Sequence, residues 1–137
     1  MAKTEKRRTR LVPPKPRSGE GGALPSQIDR ALTAADSKKA VDLVVLDLRK
    51  VAGFTDFFVI CSGTNTRQVR AIADAVIEAL ADDGAKPAHL EGYDRSEWVL
   101  IDYFDFVVHV FSPGTRQFYG LERLWGSAER IEVPATS

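Results

Sequence analysis

Residues 91–125 read EGYDRSEWVLIDYFDFVVHVFSPGTRQFYGLERLW, and this stretch decides what kind of fold the chain adopts. Residues 97–103 and 106–111 are two strand-like runs rich in β-branched and aromatic side chains. Tyr103-Phe104-Asp105 joins them as a polar turn, so we predict an antiparallel hairpin.

A helix and a short strand are predicted after the hairpin. Ser112-Pro113 is typical of a helix N-cap followed by proline at the first helical position. The helix is predicted to end at Gly126, and a last short strand to follow at residues 129–133. Its apolar residues are Phe118, Leu121, Leu124 and Trp125.

The clearest helical periodicity in the chain lies before the hairpin. An apolar stripe at helical spacing predicts a long helix that follows the turn at residues 62–65 and ends at Gly84. Residues 41–48 and 57–61 precede it as short apolar runs, which predict strands buried on both faces. The stripe consists of Val69, Ile72, Ala73, Val76, Ile77 and Leu80.

The remaining elements complete a prediction of the fold class. A first helix is expected from about Pro25 to Lys39, with Ser26 as its N-cap, and an edge strand within residues 86–92. The order α-β-β-α-β-β-β-α predicts an α/β fold with a mixed central sheet flanked by helices and a right-handed crossover. The apolar stripe of the first helix is Ile28, Ala31, Leu32 and Ala35.

The composition indicates one domain in the cytoplasm. The chain has 137 residues, of which 44% are hydrophobic, enough for a core. No apolar run approaches the roughly 18 residues of a membrane span, and the N-terminus lacks a secretory signal. The single cysteine, Cys61, excludes an internal disulfide and is predicted to be a buried thiol.

The net charge of zero hides a basic tail on an acidic body. Residues 1–24 hold seven Lys or Arg against two Glu, whereas the remainder holds 12 basic and 17 acidic residues. We predict a disordered basic extension at 1–24, a folded domain at 25–133 and a short tail at 134–137. The extension has three interpretations: a solvated tail, a contact to RNA phosphates, or a transit peptide, which its prolines and Glu5 disfavour.

The sequence offers weak signals for catalysis. Ser62-Gly63-Thr64 stands between a strand and a helix, where phosphates bind, but it lacks the lysine and glycine spacing of a nucleotide loop. His109 lies within a strand and His89 is the only other histidine, so no metal pattern exists. A turn and a structural histidine are the favoured interpretations, and a nucleotide-binding enzyme remains the alternative.

Paired carboxylates give no better catalytic signal. Asp42 and Asp47 are five residues apart, so they point to opposite faces of one strand. Asp102 and Asp105 flank the hairpin turn, where capping the turn is favoured over metal binding.

The strand at residues 97–103 divides into two faces. Val99, Ile101 and Tyr103 share one face, which we interpret as core. Trp98, Leu100 and Asp102 share the other face. These three residues form either a second buried face or an exposed anchor patch for a basic partner, since aromatic residues dominate interfaces and acids steer basic partners.

The ordered motifs of residues 25–130 resemble those of the ribosomal silencing factor family, also called the Iojap family. Each motif alone is weak, but the ordered set is specific. The motifs are residues 42–47, 55–60, 62–64, 68–69, 71–73, 91–93, 98–103, Asp105, 107–111, Arg116, Tyr119, Leu121, Glu122 and 124–125.

The resemblance implies a fold and a function. The family has a nucleotidyltransferase-like fold without catalytic carboxylates. Its members bind the large ribosomal subunit through ribosomal protein L-fourteen, a basic protein. There they block joining of the small subunit and repress translation when nutrients are short, and they are associated with large-subunit maturation. This mechanism is steric, so neither an enzyme nor a cofactor is expected.

The resemblance also assigns docking residues by position. It implies Trp98, Leu100 and Asp102, with Glu91, Tyr93 and Asp105 beside them. Two features depart from the family. Phe104 stands in the turn where many relatives carry glycine, and the basic extension is not a core family feature. An exposed Trp98 face is also compatible with a homodimer of the free protein.

Overall fold

The structure, a computed structural model, describes residues 24–133 and has the predicted α/β class. The predictions for the basic extension, apart from Leu24, and for the tail at 134–137 lie outside the described residues. The elements are α1 (Ser26–Ser37), β1 (Val41–Asp47), β2 (Phe57–Ser62), α2 (Thr66–Asp82), β3 (His89–Glu91), β4 (Trp98–Asp102), β5 (Phe106–Phe111), α3 (Thr115–Tyr119), α4 (Leu121–Leu124) and β6 (Glu129–Glu132).

The six strands form one mixed sheet in the order β3-β4-β5-β2-β1-β6. β4 and β5 pair antiparallel, which confirms the predicted hairpin, and Leu100 lies opposite His109. β2 and β5 are parallel neighbours, whereas β1 pairs antiparallel with both β2 and β6. The short strand β3 lies at one edge, as predicted, and β6 lies at the other.

Two apolar layers cover the sheet, and we call its sides the helix face and the open face. α1 and α2 pack on the helix face, where Leu43 and Val45 of β1 are buried. Val44 and Leu46 of the same strand point to the open face. This confirms that β1 is buried on both sides. The predicted stripe of α2 is buried on the helix face, with Ile77 only partly covered.

The cover of the open face differs from the prediction. One helix was predicted from Pro113 to Gly126, but the chain forms two short helices, α3 and α4, that meet at Gly120. Gly120 has φ of 59°, a left-handed conformation that ends one helix and redirects the chain. Because of this bend, Leu121 and Trp125 reach the open face and pack against its apolar cluster.

Two helix starts also differ from the prediction. α3 is preceded by Gly114 rather than by Ser112, and the Ser112 hydroxyl instead lies 2.7 Å from that of Thr115. Pro25, with no side-chain hydrogen bond, stands at the N-cap of α1 where Ser26 was predicted. Among residues 24–133, no helix is long and apolar enough to cross a membrane.

Candidate functional site

β4 positions Trp98, Leu100 and Asp102 on the open face of the sheet. All three side chains are half-buried, whereas Val99 and Ile101, which alternate with them, are fully buried on the helix face. The predicted division of this strand into two faces is therefore confirmed. The structure gives an outcome between the two interpretations of Trp98 and Leu100, because both join the apolar cluster and remain accessible at its border.

Two aromatic rings contact the Trp98 indole. Its centroid lies 5.1 Å from that of Phe111 in a stacked arrangement and 4.7 Å from that of Tyr119 on α3. The indole Nε1 donates a hydrogen bond to Nδ1 of His109 at 3.0 Å. Trp98 is thus fixed in one orientation before any partner arrives.

His109 is a buried, neutral hydrogen-bond acceptor. Only 3% of its surface is exposed, and burial lowers its pKa to about 3. The favoured structural interpretation of His109 agrees with this geometry. The Trp98 partner was missed, although β4 and β5 place Trp98 and His109 diagonally across one face of the hairpin, a spacing within reach of aromatic side chains.

Asp102 closes the turn of the hairpin. Its Oδ1 accepts a hydrogen bond from the backbone N–H of Phe104 at 2.8 Å, the capping role that the sequence favoured. Asp105 is exposed in the same turn and lines a hollow with Ser26 and Asp56 near the start of α1. Asp105 is thus separated from Trp98 by the length of β4.

Glu91 and Tyr93 lie in different surroundings. Glu91 is exposed on β3 directly opposite Leu100, so it borders the open face. The Tyr93 hydroxyl instead donates to the Asp74 carboxylate on α2 at 2.7 Å, which raises the tyrosine pKa. The Arg70 guanidinium lies 5.3 Å from the centre of the same ring. Tyr93 therefore contacts the helix layer rather than Trp98.

Apolar side chains of α3 extend the surface around Trp98. Phe118 is 78% exposed and Tyr119 is 51% exposed, and their ring centroids are 5.0 Å apart. Phe118 was predicted only as one of the apolar residues of this helix, and its exposure could not be read from the sequence. Contiguous exposed apolar surface marks interaction sites. We call the surface formed by Glu91, Trp98, Leu100, Asp102, Phe118 and Tyr119 the Trp98 patch.

The turn at Ser62-Gly63-Thr64 leads into α2 and helps to cap its first turn. The side chain of Asn65 accepts the backbone N–H of Gln68, and the Thr64 hydroxyl donates to the Gln68 side chain. A Cβ at Gly63 would lie 3.0 Å from the backbone N and a side-chain carbon of Val69, so close packing favours glycine there. Turn chemistry is therefore sufficient to explain these residue types.

No metal site is evident in the part of the chain that the structure describes. Within residues 24–133, no three His, Cys, Asp or Glu side chains are grouped so that they could hold an ion. Cys61 is fully buried, as predicted, and burial raises its pKa to about 12. The thiol is consequently a packing group.

Comparison with protein families gives a match over nearly the whole domain. Residues 23–137 match the family described as "Ribosomal silencing factor during starvation". The ribosomal silencing factor RsfS of Halalkalibacterium halodurans is 43% identical over 103 residues, which are 75% of this chain and 88% of that protein. These matches confirm the resemblance stated from the ordered motifs.

Structural and more distant similarities agree with this match. A crystal structure of a protein from Bacillus halodurans superposes with a TM-score of 0.70 at 39% identity, covering 79% of this chain and 98% of that chain. The mouse protein named "Mitochondrial assembly of ribosomal large subunit protein 1" is 31% identical over 101 residues, 72% of this chain and 44% of that protein.

Proposed function

This chain belongs to the ribosomal silencing factor family, and from that membership we propose that it binds the large ribosomal subunit through ribosomal protein L-fourteen. Bound there, it blocks the small subunit sterically and represses translation when nutrients are short. It acts in the cytoplasm without catalysis or a cofactor. It also takes part in large-subunit maturation, a role supported by the name of the mouse relative.

The Trp98 patch is the single observation that supports this proposal most. A large half-buried indole beside exposed aromatic rings is the kind of anchor that dominates interface energy. Its orientation is held by Phe111, Tyr119 and His109. Docking therefore costs less conformational entropy than it would for a freely rotating side chain.

Charge supports a basic partner for this surface. Glu91 and Asp102 border the apolar part of the patch, and both carry carboxylates that remain accessible to solvent. Beyond the first 24 residues, acidic residues outnumber basic ones by 17 to 12. Complementary charge speeds encounter and sets register, so a basic ribosomal protein suits this face. The basic extension is proposed to add contact with ribosomal RNA.

A second copy of the chain is a competing occupant of the same patch. Symmetric pairs are the commonest assembly of soluble proteins, and two Trp98 patches brought together would bury the exposed Phe118 and Tyr119. We propose that the free protein forms such a homodimer and that dimerisation and docking exclude one another. Sedimentation equilibrium of the full chain tests this, and a monomer at all concentrations contradicts it.

Sedimentation of purified subunits tests the docking function. The full chain is added to large and small subunits at a magnesium concentration that permits joining. We expect it to migrate with the large subunit and to reduce the fraction of complete ribosomes. A protein that stays at the top of the gradient while joining proceeds would exclude the proposal. Nucleotide turnover would then be assayed for the enzyme alternative at Ser62-Gly63-Thr64.

Charge reversal at Asp102 tests which face docks. Asp102→Lys places a repulsive charge on the patch, so we expect its affinity for the large subunit to fall by about tenfold, about 1.4 kcal/mol. Glu78→Lys is the matched control, because Glu78 is an exposed acid on α2, behind the opposite face. Equal losses for the two variants would mean that net charge, rather than this patch, governs binding.

Asp102→Asn separates the charge from the turn. Asparagine keeps an oxygen that accepts the Phe104 N–H, so the hairpin is expected to stay intact while the charge is removed. Circular dichroism and melting temperature check the fold of each variant. If Asp102→Lys unfolds and Asp102→Asn docks normally, then Asp102 has a structural role and the docking role is lost.

A further inference from the structure

A cavity lies outside the Trp98 patch, at the ends of two parallel strands. Ser62-Gly63-Thr64 follows the carboxyl end of β2, and Ser112-Pro113-Gly114 follows that of its parallel neighbour β5. The two loops line a cavity of about 710 Å³. Ligands of α/β proteins bind at the carboxyl ends of parallel strands, and this volume is within the range of small-molecule sites.

Three arginines line the cavity and supply positive charge and hydrogen-bond donors. Arg116 donates to the Ser62 hydroxyl at 3.0 Å and binds Glu122 through two hydrogen bonds of 3.0 and 2.9 Å. Arg130 lies 3.2 Å from the same carboxylate. Arg116, with support from Arg130, holds the Glu122 pKa below its usual value. The carboxylate therefore stays charged and anchors both guanidinium groups at the cavity wall.

Arg123 is the third guanidinium and has no such anchor. Within residues 24–133 its side chain makes no hydrogen bond or ion pair, and the guanidinium folds back over Gly120, where an added Cβ would lie 2.6 Å from Nη2. The cavity lining holds three arginines against Asp42 and Glu122, a net charge of +1. A guanidinium that is accessible, and whose donors are unused by the described residues, is suited to bind a phosphate through two hydrogen bonds.

We propose that this cavity binds a small molecule carrying a phosphate group. Arg123 holds the phosphate, with Arg116 and Arg130 adding positive potential, and the organic part of the ligand lies against Val41 and Pro113. The cavity lies beside the Trp98 patch rather than within it, because both take residues from α3, and binding there requires no reaction. The ligand class follows from the free guanidinium and from the apolar part of the cavity lining.

Calorimetric titration of the full chain tests the proposal with three probes: inorganic phosphate, adenosine monophosphate and adenosine. We expect the monophosphate to bind more tightly than inorganic phosphate, and adenosine to bind at least tenfold more weakly than the monophosphate. Bound ligand is also expected to raise the melting temperature. Failure of both phosphate-bearing probes to bind, or equal binding of adenosine and its monophosphate, would overturn the proposal.

Variants locate the phosphate within the molecule. Arg123→Ala should weaken monophosphate binding about tenfold without changing the melting temperature of the free protein, because the side chain is exposed. Arg95→Ala is the matched control, since Arg95 is an exposed arginine on the β3–β4 loop. Undiminished binding by Arg123→Ala, or an equal loss in both variants, would show that the cavity does not hold the phosphate.

Discussion

The two faces of the sheet can be compared on a single strand. On the helix face of β4, Val99 and Ile101 are 0% exposed, and the long helix α2 packs against this strand. On the open face, Trp98 and Leu100 of the same strand stay half-buried, since their cover comes from the short helices α3 and α4. The helix face thus buries its apolar side chains completely, which stabilises the fold, whereas the open face leaves part of its apolar surface accessible.

In a small domain, apolar side chains that stay accessible on one face point to the surface that binds a partner. Scattered exposed apolar residues are ordinary. Here the Tyr119 ring contacts both Trp98 and Phe118, so the three rings form one continuous surface. Leaving them accessible forgoes hydrophobic stabilisation in the free protein. Partner binding is the event that would bury them.

Alanine substitutions on the two faces of β4 should differ most in the unfolding free energy that they remove. Ile101→Ala removes a fully buried side chain from the helix face and leaves a cavity, so we expect a loss of about 3 kcal/mol in unfolding free energy. Leu100→Ala, one residue away on the open face, should lose about 1 kcal/mol because less of its surface is buried. Urea unfolding measures both, and equal losses would remove the contrast between the faces.

Trp98→Ala tests the open face by its effect on binding rather than on stability. We expect affinity for the large subunit to fall by about 2 kcal/mol or more, as at interface anchors, while the protein remains folded. Leu90→Ala is the control, because Leu90 is also an exposed apolar residue but its neighbours in the ladder place it on the other side of the sheet. Docking that survives Trp98→Ala would place the interface elsewhere.

Mild acid should lower the unfolding free energy of the protein through His109, which lies on the open face. Its folded pKa of about 3 lies below the ordinary value of 6.5, so the unfolded chain binds a proton first as pH falls. Stability is therefore fully present above pH 6.5 and is lost below it, by about 1 kcal/mol between pH 6.5 and 5.5. His109→Gln should lack this loss and His89→Gln should keep it, as measured by urea unfolding from pH 7.5 to 5.5.

The smallest expected effect concerns the hairpin tip. Phe104 has φ of 71°, a left-handed conformation that costs a non-glycine residue about 1–2 kcal/mol. Part of the gain on Phe104→Gly is offset by the greater freedom of glycine in the unfolded chain, so we expect a net stabilisation of about 0.5 kcal/mol. Thermal unfolding of Phe104→Gly measures this, and destabilisation would show that contacts of the ring outweigh the strain.

The sequence predicted those parts of the fold that depend on local pattern. The stripe of α2, the hairpin of β4 and β5, the edge strand β3 and the last strand all follow from periodicity or turn residues. The bend at Gly120 was missed, because Phe118 and Leu121 also suit one continuous helix. Ser26 and Ser112 have good capping chemistry, but the tertiary path of the chain puts other residues at those helix starts.

The candidate site was less accessible to sequence reasoning. The alternation along β4 predicted that Trp98, Leu100 and Asp102 share a face, but contacts between distant elements decide how a surface is completed. The rings of α3 beside Trp98 and the anchoring of Tyr93 by Asp74 depend on how α2 and α3 pack. No local pattern in residues 91–125 contains that information.

The position of β1 between β2 and β6 affects the timing of folding. Val44 pairs with Ile60 and also with Glu132, near the opposite end of the domain. During synthesis β1 and β2 emerge early, but the outer edge of β1 stays unpaired until residues 129–132 have left the ribosome. An open strand edge is a template for pairing with other chains, and long-range pairing slows folding. The nascent chain therefore keeps one open strand edge until β6 is released.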